Sequence, residues 1–215
     1  MKAIFKAGQA DQPIFVLLHG TGGDEHSLLA IADFLNPDAN VLSLRGDVDE
    51  NGLLRFFKRH GEGHFDLDDL EKRGQALLAF LKEASTEHHL DLNRTVLVGF
   101  SNGANMAINL LLADGSPLTK GMLFAPMYPV PIDHLRESKA DTSVFLSMGK
   151  RDPIATLEDS QTVIELFQKR LAQVQTFWVG SHEITRESLE AAKDWLKKQD
   201  FYEDLPLTIQ TRTDN

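Results

Sequence analysis

One stretch constrains this chain more than any other: Val96-Leu97-Val98-Gly99-Phe100-Ser101-Asn102-Gly103-Ala104-Asn105-Met106. A short valine-rich run meets Gly-x-Ser-x-Gly and passes directly into a helix-forming sequence, the strand, sharp turn and helix of a nucleophile elbow. So tight a turn holds its central serine at positive φ, a costly conformation for a residue with a Cβ. Gly99 and Gly103, two positions to either side, leave room for neighbouring backbone to pass. The turn lifts the Ser101 hydroxyl above a sheet edge, where the first amides of the following helix face any oxyanion that forms.

The rest of the chain alternates strand and helix around that elbow. Met1 to Lys6 suits a short edge strand. Pro13 to Leu18 is continuously apolar, as in a strand covered on both faces, and ends in His19-Gly20-Thr21-Gly22-Gly23-Asp24-Glu25. A helix over Ser27 to Leu35 stops at Asn36-Pro37, and a buried strand follows at Val41 to Leu44. Apolar residues at Leu70, Leu77, Leu78, Leu81 and Ala84 stripe one face of a helix from Leu67. After the elbow helix, which runs to about Ala113, strands are expected at Gly121 to Ala125, Thr142 to Met148 and Gln175 to Val179. Helices at Leu157 to Leu171 and Ile184 to Lys198 complete the alternation. The expected fold is α/β: one domain over residues 1–200, a mostly parallel sheet with helices on both faces, and a polar C-terminal tail at 201–215. Ligands of such sheets bind at the carboxyl ends of the strands.

Residues 45–67 interrupt the alternation. Four glycines (Gly46, Gly52, Gly61, Gly63) share the segment with Phe56, Phe57 and Phe65, which suggests a long loop or small cap over a pocket. The competing reading is a surface loop that tucks its aromatics into the core.

Composition narrows the function. With 215 residues, 42% of them hydrophobic, the chain can bury a core without staples, and it has no cysteine for a disulfide, a thiolate nucleophile or a Cys-based zinc site. A formal net charge of −10 disfavours nucleic acid and anionic membrane surfaces as partners. No apolar run reaches transmembrane length, and no leader-like segment opens the chain, so a cytoplasmic location is expected.

A serine hydroxyl needs a base. Of eight histidines, His182 stands just after the last strand in Gly180-Ser181-His182, where a loop can swing over the sheet edge. His19 belongs to a glycine-rich loop with another use; His88, His89 and His134 suit a solvated surface. His60 and His64 are spaced for a metal only on a helix, which Gly61 and Gly63 oppose, so no metal is expected. The imidazole needs an acceptor, and Asp152, after the strand ending at Met148 and stiffened by Pro153, supplies it in the order serine, acid, histidine. Asp133, in a proline cluster, and Asp141, before its strand, are the rivals. For the developing oxyanion, the Asn102 amide is one donor, and the second comes from Thr21 or Gly22.

Together, Leu18-His19-Gly20-Thr21-Gly22-Gly23-Asp24-Glu25, Gly99-Phe100-Ser101-Asn102-Gly103, Asp152-Pro153 and Gly180-Ser181-His182-Glu183 resemble the α/β-hydrolases. More narrowly, the chain is similar to the phospholipase/carboxylesterase branch that includes acyl-protein thioesterases. Arg45-Gly46-Asp47, Arg55-Phe56-Phe57-Lys58-Arg59 and Glu62-Gly63-His64-Phe65-Asp66 resemble bacterial carboxylesterase-like hydrolases linked to hydroquinone and catechol stress. The resemblance implies a cofactor-free serine esterase with Ser101, Asp152 and His182 as triad and the amides of Thr21 and Asn102 as oxyanion hole. Its expected substrate is a small-molecule ester with a short or medium acyl chain, aromatic esters included; the alternatives are a thioesterase or lysophospholipase with a longer groove and, behind it, a non-catalytic hydrolase fold that binds a small ligand. Gly22, Phe56, Phe57, Phe65, Met127 and Tyr128 are the candidate pocket residues, and the acidic surface is compatible with a homodimer. Acyl-protein thioesterases carry glutamine after the nucleophile; this chain carries Asn102.

Overall fold

The computed structural model describes residues 1–199 and Phe201; the tail expected at 201–215 otherwise lies outside the described residues. Seven strands form the main sheet: β1 (Ala3–Lys6), β2 (Ile14–Leu18), β3 (Asn40–Leu44), β8 (Thr95–Phe100), β9 (Lys120–Phe124), β10 (Ser143–Gly149) and β11 (Gln173–Val179). Their order is β1-β3-β2-β8-β9-β10-β11; only β1 runs antiparallel, along the edge beside β3. Two small hairpins, β4 (Val48–Glu50) with β5 (Leu53–Arg55) and β6 (Arg59–Gly61) with β7 (His64–Phe65), occupy the 45–66 excursion. The helices are α1 (Leu29–Leu35), α2 (Leu67–Glu87), α3 (Asn102–Leu112), α4 (Leu157–Lys169) and α5 (Arg186–Leu196).

Strand side chains alternate between two cores. Phe15, Leu17, Val41, Val96, Val98, Met122 and Phe145 face one side, where Leu28, Leu35, Trp195 and Leu196 of α1, α5 and their flanks cover them. Val16, Leu18, Leu42, Leu97, Leu123 and Leu146 face the other, against Leu77 and Leu81 of α2, Ile108 and Leu111 of α3, and Val163 and Phe167 of α4. Burial on both faces is why the strands read as unbroken apolar runs.

Helix boundaries shift where side chains compete for backbone. α1 starts at Leu29, two residues later than its pattern suggests, because Asp24 and Ser27 close a turn: the His26 amide donates to Asp24 Oδ1 and the Asp24 amide to Ser27 Oγ. α4 begins on a reciprocal Thr156–Asp159 capping box and stops at Lys169, since Leu171 takes φ 67°. Strand β11 starts at Gln173 because Gln173 and Val174 continue the ladder with Ser143 and Val144. Among the described residues, no helix is long and apolar enough to cross a membrane.

Parallel register brings the strand ends level. Leu18 pairs with Gly99, Gly99 with Leu123, and Gly149 with Val179. The loops after β2, β8, β10 and β11 therefore emerge along one rim.

Candidate active site

Ser101 sits between β8 and α3 with φ 50° and ψ −116°, a left-handed conformation that costs of order 1–3 kcal/mol for a residue with a Cβ. Its neighbours enforce it. The Ser101 amide donates to Phe124 O (2.9 Å) and its carbonyl accepts from the Asn105 amide (2.9 Å), so both ends of the turn are fixed. A Cβ on Gly99 would lie 2.7 Å from the Ala104 backbone, and one on Gly103 only 2.0 Å from Leu18 O. Strand, turn and helix are packed too closely for any other residue at these two positions.

The loops after β10 and β11 continue the sheet past its strands. Lys150 N donates to Val179 O and Arg151 N to Gly180 O, each at 3.0 Å, which carries Asp152 and His182 side by side over the rim. His182 Nδ1 lies 2.7 Å from Asp152 Oδ2, and Nε2 lies 2.9 Å from Ser101 Oγ. When Nδ1 donates to that carboxylate, Nε2 is left to accept from the serine hydroxyl. Asp152 Oδ1 accepts from the amides of Ile154 (2.7 Å) and Ala155 (3.0 Å), so its buried carboxylate cannot rotate away. Phe100 covers the imidazole, ring centroids 5.3 Å apart.

The rivals lie elsewhere. Buried His19 has its Nδ1 2.7 Å from Gly20 O, while Nε2 accepts from the Gly46 amide (3.0 Å); burial lowers its pKa and holds it neutral. Its role is to tie two loops together. His88 stacks on Phe5, and His134 borders a separate groove. Asp141 lies at the amino end of the sheet with Ser143 and Gln173, and Asp133 is exposed. Among the described residues, no group of three His, Asp or Glu side chains is placed to hold a metal.

The two candidate donors in the glycine-rich loop are placed differently. The Gly22 amide is spent on Leu54 O of β5 (2.9 Å), which leaves Thr21 to face the cavity beside Ser101 and Asn102. Asn102, the first residue of α3, holds Phe56 N through Oδ1 (2.7 Å), while its buried Nδ2 has no partner among the described residues. Further along the same helix face, Asn105 Oδ1 accepts from Met127 N (2.8 Å) and Asn109 Oδ1 from Tyr128 Oη (2.9 Å). Three asparagines on one side of α3 thus pin the loops that wall the site, a pattern that their spacing of three and four could have signalled.

The cavity over Ser101 measures about 250 Å³. Of the candidate pocket residues, Phe65 and Met127 line it, and so does Thr21 of the glycine-rich loop. Gly22, Phe56, Phe57 and Tyr128 do not. Phe56 and Phe57 point into the core, 3% and 0% exposed, since each has apolar neighbours there and the hairpin backbone has its own partners. Gly22 lies on the outer side, its amide bound to β5, and Tyr128 borders the second groove, edge-on to Phe65 at 6.5 Å. Among the wall residues not foreseen from sequence are two arginines, Arg55 and Arg59, joined by Glu62. Burial is the largest influence on Arg55 and, with the Arg59 charge, lowers its pKa; burial acts likewise on Arg59, but Glu50 and Glu62 outweigh it.

The model of the phospholipase/carboxylesterase family matches residues 59–200. The chain belongs to that family. It is 40% identical over 199 residues to the hydrolase MhqD of Bacillus subtilis (strain 168), covering 92% of this chain and 98% of that one. The Bacillus cereus carboxylesterase structure superposes with a TM-score of 0.89 at 40% identity, over 92% of this chain and 94% of the other. The structure of YahD with malic acid has a TM-score of 0.88 at 32% identity, over 93% and 99%. This is a carboxylesterase-type hydrolase of α/β-hydrolase fold.

Proposed function

We propose that this hydrolase is a serine carboxylesterase for small esters, working through an acyl-enzyme on Ser101. The observation that carries the reading is the continuous hydrogen-bonded chain from Ser101 Oγ through His182 to Asp152. In the first half-reaction, Nε2 of His182 takes the Ser101 proton as Oγ bonds to the ester carbonyl carbon. The resulting oxyanion is met by the amides of Thr21 and Asn102, and Asp152 stabilises the imidazolium. Collapse breaks the carbon–oxygen bond of the ester, and the departing alkoxide takes the proton from Nε2 and leaves as the alcohol. A water molecule then repeats the sequence: its proton goes to Nε2, its oxygen bonds to the acyl carbon, and Ser101 leaves with the proton restored.

The size of the cavity supports short acyl groups, since 250 Å³ falls just below the roughly 300–1,000 Å³ of pockets for drug-sized ligands. Turnover of p-nitrophenyl acetate tests the proposal. The wild type hydrolyses it and Ser101→Ala does not; retention of the wild-type rate by the variant contradicts the mechanism.

A further inference from the structure

One part of the site is odd for an enzyme of neutral esters. Its wall contains Arg55, only 3% exposed, and Arg59, against the single carboxylate of Glu62: two positive charges and one negative on a chain whose net charge is −10. Burying a guanidinium is costly unless anions compensate it. Compensation here is thin. Arg55 has one carboxylate within reach, Glu50 Oε2 at 3.1 Å from Nε, and Glu50 is shared, because both its oxygens also accept from Arg59 Nε (3.0 and 3.1 Å). The other contacts of Arg55 are to uncharged groups: Nη1 donates to Thr21 Oγ1 (2.6 Å), Nε to Phe57 O (3.3 Å), and the guanidinium lies over the Phe57 ring, 5.7 Å from its centroid. Glu62, the partner of Arg59 Nη1 at 2.6 Å, is more than half exposed and therefore screened. The negative charge of Asp152 lies behind the imidazole, outside the cavity lining.

We infer that Arg55 and Arg59 recognise a carboxylate carried by the substrate in addition to its scissile ester. The inference rests on the esterase reading and refines it: the preferred substrate class is the anionic ester, such as the half-ester of a dicarboxylic acid or an ester of a carboxylated phenol. Planar guanidinium groups match a carboxylate geometrically, and beside buried side chains the pairing gains strength. The bond from Arg55 to Thr21 places this recognition next to the proposed oxyanion hole, so a substrate held by its carboxylate is also held by its carbonyl. The relative crystallised with malic acid, a dicarboxylic acid, suits the same chemistry.

The test compares two matched pairs of esters. Mono-p-nitrophenyl succinate against its methyl ester places the charge on the acyl side; p-acetoxybenzoate against its methyl ester places it on the alcohol side. In the wild type, kcat/KM favours the charged member of at least one pair, which identifies the side. Arg59→Gln lowers that charged-to-neutral ratio by about tenfold or more, the usual size of a lost charged hydrogen bond. Glu62→Gln, at an exposed position, raises the ratio by freeing Arg59. Because each ratio is taken on one protein sample, partial loss of folding cancels. Ratios at or below one in the wild type, or unmoved by both substitutions, overturn the inference. Ser101→Ala, run beside them, separates the two levels: if it abolishes all turnover while the ratios stay flat, only the carboxylate recognition falls.

Discussion

Two regions meet at Ser101, and they are built on different principles. The rim formed by the loops after β8, β10 and β11 follows from the sheet: parallel register sets the strand ends level, and backbone bonds from Lys150 and Arg151 extend that order to Asp152 and His182. The excursion at 45–66 stands outside the main sheet's ladder. Its two short hairpins are held by Phe56, Phe57 and Phe65 packed into the core and by polar contacts that include Gly22 N to Leu54 O, Gly46 N to His19 Nε2, Phe56 N to Asn102 Oδ1 and Arg55 Nη1 to Thr21 Oγ1. The rim is rigid by construction and carries the proposed chemistry. The excursion supplies Arg55, Arg59, Glu62 and Phe65 to the cavity wall and carries the proposed selectivity.

That division predicts different kinetic signatures. The largest effect belongs to the rim: Asp152→Asn lowers kcat by about 10³–10⁴-fold with little change in KM, because the imidazole loses the acceptor that fixes its tautomer. Steady-state kinetics on p-nitrophenyl acetate checks it, and a change confined to KM breaks the division. Next comes the joint between the regions. Asn102→Ala keeps the backbone amide at the helix start but leaves the buried Phe56 N–H unpaired, at about 1–3 kcal/mol, read by urea denaturation. The same variant raises KM more than it lowers kcat.

A smaller effect sharpens the role of the excursion. Phe65 lines the cavity and meets Tyr128 of the neighbouring groove edge-on. Phe65→Leu shortens that wall, so the acyl length giving the highest kcat/KM moves up in a series of p-nitrophenyl esters, while the rate with acetate stays within about threefold. The smallest effect is electrostatic and lies behind the rim. Glu25 is buried between Lys2 and Arg45; burial would raise its pKa, but the hydrogen bonds from Lys2 and Arg45 prevail and hold it at about 2 against an ordinary 4.5. A depressed carboxylate stabilises the fold above its unfolded pKa, and the contribution fades as pH falls through the folded one. The gap in urea midpoint between wild type and Glu25→Gln is therefore full at pH 7 and narrows from about pH 4.5 towards 2.

The two regions also differed in how far the sequence revealed them. Apolar runs ending in Gly, Ser, Asp or His punctuation disclosed the rim, because strand ends in a parallel sheet are the positions where chemistry must sit. The excursion was recognisable as an interruption but not as hairpins, although Asn51-Gly52, now seen at φ 55° and 85°, is the dipeptide that a tight hairpin turn favours. Phe56 and Phe57 were misassigned for a physical reason. They follow the three-residue strand β5, outside any ladder, so no alternation marks which way each ring turns, and both found room in the core. Arg55 illustrates the converse: a charged residue in a glycine-rich loop suggests solvent, and only the contacts of the folded chain reveal a guanidinium enclosed beside the site.

The most direct test of the central proposal, a hydroxyl activated through His182 and Asp152, is covalent capture. Wild-type protein treated with a fluorophosphonate and digested should carry the label on the peptide containing Ser101, and His182→Ala should slow the labelling by about 10³-fold or more. Label on any other side chain, or labelling at Ser101 that proceeds as fast without the imidazole, contradicts the account.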